Sequence, residues 1–143
     1  MTRLPNWQSA LEAHLRASAQ VRFAYGAMDC CLFACDAVLA MTGEDLAASF
    51  RGKYSTRREA SIAIRSYCGS PLVRSLAERI ARDRAIPDVD VAHARRGDVV
   101  LHGRNLGESL GIVSLDGTEM IAVAQDGLWR LPLCMAKRAW RIG

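Results

Sequence analysis

The sequence predicts an α+β fold in which helices come first and an antiparallel sheet follows. Up to about residue 86 the apolar residues recur at helical spacing, whereas after Pro87 short β-rich runs alternate with Gly, Asp and Asn turns. This order is typical of α+β proteins. Because 143 residues suit one domain, we expect a single domain over 1–143, with a helical part at about 6–86 and a sheet part at about 97–142.

The first two predicted helices differ in how their apolar residues are distributed. The first has one apolar face, which runs from Trp7 to Leu15. The second begins at Cys30 or Cys31, ends at Met41 before a Thr-Gly cap, and is apolar on almost every side. A helix that is apolar all round is covered by other elements, so we expect this cysteine-bearing helix to be central.

Two further helices are predicted from their end motifs. Thr56 and Glu59 have capping-box spacing, and Gly69 is typical of a helix end. The next helix is predicted to begin with Ser70 as its N-cap and Pro71 at its first position.

The sheet is predicted from five short runs, "GDVVLH", "LGIVSLDG", "TEMIAVAQ", "GLWRLPL" and "RAWRIG". Asp116 and Gly117 form a hairpin motif between two of them. We expect an antiparallel sheet of about five strands, in which Val99–His102 and Leu110–Leu115 pair as a hairpin.

Composition argues against several classes of protein. The net charge of +4 comes from arginines interspersed with acids, which is typical of a solvated surface rather than a nucleic-acid interface. No run approaches the roughly 18 apolar residues of a membrane span, and we expect neither a signal peptide nor an anchor. Five cysteines, three of them clustered, favour reduced thiols in a protein made in the cytoplasm. We expect no cofactor.

Cys30 follows Asp29, which is a good helix N-cap. A thiol at a helix start meets unpaired backbone amides and the positive end of the helix dipole, which favour the nucleophilic thiolate. The same amides could hold an oxyanion. The sequence therefore indicates a candidate nucleophile, although a small apolar residue at a helix end would fit the same position.

The remaining cysteines are interpreted as core residues; they are Cys31, Cys35, Cys68 and Cys134. Cys31 and Cys35 lie one turn apart and could face a metal together, which leaves a metal-dependent structural module as a further alternative. No matching Cys/His pair stands elsewhere in the chain, so we expect no metal site.

The segment "FAYGAMDCCLFACDAV" resembles the nucleophile segment of NlpC-type papain-like cell-wall peptidases, and "RRGDVVL" followed by "SLGIVSLDG" resembles that family's next two strands. The resemblance covers Phe23 to Leu133 and implies a papain-like fold. It places Cys30 at the nucleophile and Tyr25 at the tyrosine that supports the oxyanion site. The whole pattern, with "FRGKY" and "AWRIG", is also similar to a family encoded in bacteriophage tail gene clusters.

Two positions depart from the peptidase pattern. Ser109 stands where the resemblance places the general-base histidine, and Ala122 falls near the position of its orienting residue. His102 should lie across the hairpin from Ser109 and could replace the base; the alternative is a loop-edge histidine that faces solvent. His14, on the first helix, and His93, in a loop, are weaker candidates for the general base.

Asp36 lies on the apolar cysteine-bearing helix, six residues after Cys30. A buried carboxylate needs a donor or a cation, so we predict an arginine partner rather than a catalytic role.

The resemblance implies a phage tail-tip or tail-assembly protein with a peptidase-like fold and a degenerate catalytic site. Its partners would be other tail proteins, bound through "FRGKY" and the C-terminal strand, and it would be made in the host cytoplasm and located in the virion tail. The alternative is an active cysteine peptidase or amidase that cleaves peptidoglycan stem peptides. Whether the chain is an enzyme is left open by the sequence.

Overall fold

A computed structural model describes residues 1–104 and 107–143. Its helical part consists of four α-helices: α1 Trp7–Ser18, α2 Cys30–Thr42, α3 Arg57–Cys68 and α4 Val73–Asp83. None of the helices in these ranges is long and apolar enough to cross a membrane. The predicted order of helices before strands is confirmed.

The strands that follow form one antiparallel sheet: β1 Asp88–Val89, β2 Val99–Arg104, β3 Gly107–Val113, β4 Glu119–Ala124, β5 Gly127–Pro132 and β6 Ala136–Trp140. Their order in the sheet is β1-β6-β2-β3-β4-β5. The sequence predicted about five strands. The additional strand, β1, pairs with β6. It has two residues and is too short for the sequence to show strand periodicity.

The predicted centre of the fold is confirmed, because α2 packs against both α1 and β3. Asp29 caps α2 by accepting a hydrogen bond from the Leu32 amide at 2.9 Å. At the other end Gly43 has φ +79°, and its amide donates to the Leu39 carbonyl at 2.8 Å. Phe33 and Val38, on this helix, are about 1% and 0% exposed.

The predicted start of α4 is wrong by two residues. Thr56 does cap α3 as predicted, by accepting from the Glu59 amide at 3.1 Å. Ser70 instead accepts a hydrogen bond from the Leu72 amide at 3.2 Å, two residues away. This bond closes a turn after α3, so α4 begins only at Val73.

Asp36 has the arginine partner that the sequence predicts. Arg51 donates to Asp36 at 2.6 Å and to both oxygens of Asp45 at 2.9 Å. The arginine therefore ties α2 to the loop that follows it.

The "FRGKY" segment, Phe50–Tyr54, uses both of its aromatic side chains in packing. Phe50 is 0% exposed and Tyr54 6% exposed, while Arg51 is held by its ion pairs. The C-terminal strand β6 lies inside the sheet, with Trp140 buried. Gly52 and Lys53 are exposed, as is Lys137 of β6, and a binding role for these two segments stays a prediction.

Replacing Arg51 with methionine is expected to lower the free energy of unfolding by about 1 kcal/mol. The loss stays modest because the Arg51 side chain remains 35% exposed and its two carboxylate partners can be hydrated. Arg22→Met, which breaks an ion pair with both side chains at least 76% exposed, is the matched control and should change stability by less than about 0.5 kcal/mol. Urea unfolding followed by circular dichroism measures both, and equal stability of the two variants would contradict the prediction.

A buried carboxylate joins the last residues of the chain to its first. Asp98 is 0% exposed and accepts hydrogen bonds from the side chains of Arg3 at 3.2 Å and Arg141 at 2.9 Å. The backbone amides of Arg95 and Ile142 donate to it at 2.8 and 3.0 Å. All of these donors converge on one carboxylate, which fixes the entrance to β2.

Candidate functional site

Cys30 is the first residue of α2, and the residue before it is held from three directions. Asp29 is 4% exposed and accepts from the Leu32 amide at 2.9 Å, the Gly26 amide at 2.9 Å and the Tyr54 hydroxyl at 2.7 Å. Burial and the adjacent carboxylate raise the pKa of Tyr54, so its hydroxyl remains a donor. The position of Cys30 is therefore set by hydrogen bonds to Asp29 from residues that precede it and residues that follow it in the sequence.

Gly26 is required where this turn approaches Tyr54. Its φ is +84°, and a Cβ atom at this position would lie 2.0 Å from the Tyr54 carbonyl oxygen. The glycine of the Tyr-Gly pair before Asp-Cys thus has a steric reason. Tyr25 itself is half-buried, and its ring contacts that of Phe23 edge-on at 4.8 Å. Its part in an oxyanion site stays a prediction.

The Cys30 sulfur lies in a group of hydrogen-bond donors. The Cys31 Sγ is 3.9 Å away, and the Leu110 backbone and the Ser109 side chain also favour a negative charge on the Cys30 sulfur. Mainly through the Cys31 bond, these donors lower the pKa of Cys30 to about 7, although burial and the Asp29 carboxylate oppose them. A large part of the Cys30 population is therefore thiolate at neutral pH.

Cys31 has the opposite tendency. The hydrogen bond to Cys30 and burial raise the pKa of Cys31 well above that of an ordinary thiol. Cys31 thus keeps its proton when Cys30 loses one.

His102 lies across the β2–β3 hairpin from Ser109, as the sequence predicts. Directly opposed residues of antiparallel strands project to the same face, with Cβ atoms about 4.5–5.5 Å apart. His102 is 4% exposed because β2 is an inner strand, with Ala136 of β6 on its other side. The interpretation of His102 as a solvent-facing loop histidine is wrong. Its role as a substitute base stays a prediction, as does the assignment of Ser109 to the position of the missing histidine.

Ala122 lies on β4 opposite Gly111 of β3 and is 0% exposed. Gly111 is two residues along β3 from Ser109, so Ala122 and Ser109 belong to the same face of the sheet. A methyl group has neither a donor nor an acceptor and cannot orient a base.

The other two histidines have structural surroundings. His14, on α1, bonds through Nε2 to the Phe33 carbonyl at 3.1 Å and stacks on the Phe33 ring at 5.2 Å. Burial lowers its pKa, which favours the neutral ring. His93 is exposed in a short 3₁₀ turn, and its carbonyl accepts from Arg141 at 2.7 Å.

All five cysteines are free. Cys31 and Cys35 are buried, and Cys68 is half-buried with its thiol bonded to the Ile64 carbonyl at 3.2 Å. Cys134 is exposed, so its assignment to the core is wrong: it lies in the 3₁₀ turn between β5 and β6. Within 1–104 and 107–143, no three or more His, Cys, Asp or Glu side chains are grouped to hold a metal ion.

Two features of the site were missed by the sequence interpretation. The sequence interpretation gives "FRGKY" no part in the site, whereas its Tyr54 holds Asp29 from 25 residues further along the chain. Cys31 was expected to be a core residue only, whereas its sulfur contacts that of Cys30. The adjacent cysteines in "DCC" were the one local indication of this contact.

Comparison with solved structures supports the papain-like fold. The crystal structure of the NlpC/p60 domain of the peptidoglycan hydrolase SagA is similar to this chain, with a TM-score of 0.57 and 16% sequence identity. The match covers 94% of this chain and 97% of that one. At this identity the similarity shows the fold alone, and it confirms the predicted NlpC-type architecture.

Comparison of the sequence with curated proteins gave no match. A family model described as "Domain of unknown function (DUF6950)" matches residues 2–142. Because the match spans nearly the whole chain, this protein belongs to the DUF6950 family.

Proposed function

We propose that this protein is a bacteriophage tail protein, at the tail tip or in tail assembly, that uses an NlpC-type fold as a binding and structural module. The observation that carries the proposal is that Ser109, at the position the resemblance gives to the base histidine, acts on the Cys30 sulfur, while Ala122 stands near the position of the orienting residue. Neither a serine hydroxyl nor a methyl group can shuttle a proton at neutral pH. The catalytic site is therefore degenerate, although its thiol is retained.

The tail role is supported by the similarity of the whole sequence pattern to a tail-cluster family. "FRGKY" and "AWRIG", which carry part of that similarity, are packing elements in this fold. The protein would be made in the host cytoplasm and built into the virion tail. Its partners would be other tail proteins and peptidoglycan at the cell surface.

Genetic complementation in the encoding phage or prophage tests this role. Deletion of the gene should give particles with missing or non-infectious tails, and Cys30→Ala should restore infectivity because the thiol is not needed for assembly. Asp29→Ala, which removes the support of the helix start, is the contrasting variant and should restore much less. Tails that assemble and infect normally without the gene, and purified virions that lack the protein, would refute the proposal.

A second function, cleavage of peptidoglycan stem peptides, is favoured by one observation. His102 is buried directly opposite Ser109, which itself contacts Cys30. In this case the Cys30 thiolate attacks the amide carbonyl, and the amides at the start of α2 hold the oxyanion. A protonated His102 would give its proton to the leaving amine, and water would then hydrolyse the thioester.

Incubation of the purified protein with peptidoglycan and with soluble stem peptides separates the two functions. We expect no release of product above that of Cys30→Ala, since the base and its orienting residue are replaced. Cleavage by the wild type that falls by about 10²-fold or more in His102→Gln, and is lost in Cys30→Ala, would establish the peptidase instead. Cys35→Ala is the control for a buried thiol on the same helix.

A further inference from the structure

We propose that Cys31 is a positioning residue, whose thiol donates a hydrogen bond to the Cys30 sulfur and holds it as a thiolate without an imidazolium partner. The two sulfurs are 3.9 Å apart, in the first turn of α2. Cys31 is 4% exposed, so its thiol proton has little competition from water. The contact between these neighbouring side chains is thus largely shielded from water.

The direction of the hydrogen bond follows from electrostatics. If Cys31 ionised, its charge would be buried and would lie beside both Cys30 and the Asp29 carboxylate. Burial and like charge both disfavour the anion. Cys30 is half-buried at the helix end. The Leu110 backbone and the Ser109 side chain favour a negative charge on its sulfur. The proton therefore stays on Cys31, and the charge resides on Cys30.

The other charged and polar groups near the Cys30 sulfur come from α2, from the loop before α3 and from the sheet. The residue before α2 supplies the Asp29 carboxylate, which opposes the thiolate. From the loop before α3, the protonated Tyr54 hydroxyl binds that carboxylate. From the sheet come the Ser109 and Leu110 donors of β3, with His102 of β2 opposite Ser109. One turn further along α2, buried Cys35 stays a thiol because burial raises its pKa.

The mechanism predicts how Cys30 reacts as the pH changes. A thiolate held by neutral donors forms in one step, so its alkylation rate rises once, around the pKa of about 7. A cysteine paired with an imidazolium would instead be ionised from a pH of about 4 upward. The two arrangements therefore give midpoints about three pH units apart.

The experiment measures alkylation of Cys30 by iodoacetamide between about pH 4 and about pH 10, a range that covers both midpoints. Mass spectrometry of the Cys30 peptide separates this reaction from labelling of Cys68 and exposed Cys134. Cys31→Ala and Cys31→Val, which remove the donor, should raise the midpoint by about one pH unit, a tenfold change in the ionisation constant. Cys31→Ser keeps a donor and should retain a midpoint near that of the wild type.

Two controls make the result specific. Cys35→Ala removes a buried thiol from the same helix without touching the Cys30 sulfur, and His102→Gln removes the imidazole; both should leave the midpoint within about 0.3 units. The proposal is overturned if Cys31→Val leaves the midpoint unchanged, or if His102→Gln raises it as much. The valine variant fills the volume of the thiol, so it reports on the donor even if the alanine variant fails to fold. Because alkylation needs neither substrate nor tail partner, the outcome is independent of the proposed function.

Discussion

Asp29→Ala is expected to lower the free energy of unfolding by about 3–5 kcal/mol. The substitution removes the only carboxylate that the Leu32 amide, the Gly26 amide and the Tyr54 hydroxyl share. The loss of a helix cap costs about 1 kcal/mol, and each buried donor left without a partner costs about 1–3 kcal/mol more. Urea unfolding at pH 7, followed by circular dichroism, measures the change.

Thr56→Ala is the matched control for this prediction. Thr56 caps α3 through the same kind of bond, to the Glu59 amide at 3.1 Å, but at an exposed position. Its loss should cost only about 1 kcal/mol. If Asp29→Ala costs no more than Thr56→Ala, the bonds from Gly26 and Tyr54 contribute nothing to stability and the account of the turn is wrong.

Asp98→Ala is also expected to lower the free energy of unfolding by about 3–5 kcal/mol. Asp98 is fully buried, and its removal leaves the Arg3 and Arg141 guanidinium groups beside each other without a counter-charge. Burial, and to a smaller extent repulsion from Arg141, already lower the pKa of Arg3, while Asp98 opposes them. The amides of Arg95 and Ile142 would also lose their acceptor.

The matched control is Asp126→Ala, which breaks an ion pair with Arg22 on the surface. Both side chains of that pair are at least 76% exposed, so the expected change is within about 0.5 kcal/mol. Thermal unfolding of the two variants and the wild type provides the comparison. An Asp98→Ala protein as stable as Asp126→Ala would show that the buried cluster adds no net stability.

The parts of the fold that the sequence predicts correctly depend on neighbouring residues. The capping of α2 by Asp29 and of α3 by Thr56 follows from bonds that span three residues. The turn at Gly117 and the hairpin that puts His102 opposite Ser109 are also local. In each case one short motif contains all the groups that make the structure.

The parts that the sequence predicts wrongly or misses depend on contacts between distant segments. β1 exists only because β6 pairs with it, and His102 is buried because β6 flanks β2. Tyr54 reaches Asp29 across 25 residues, so no local pattern marks it as part of the thiol site. Cys134 is a further case, since its exposure is set by the turn that carries β6 back into the sheet.

The place of β6 in the sheet has a consequence for the order of folding. This last strand fills the gap between β1 and β2, so before it is added β2 has an open edge with unpaired backbone groups. The pairing joins residues far apart in the chain, which is slow because a long loop must close first. If β2 to β5 pair before β6 docks, β2 is bare at that stage, and protection from aggregation then depends on how fast the final strand docks.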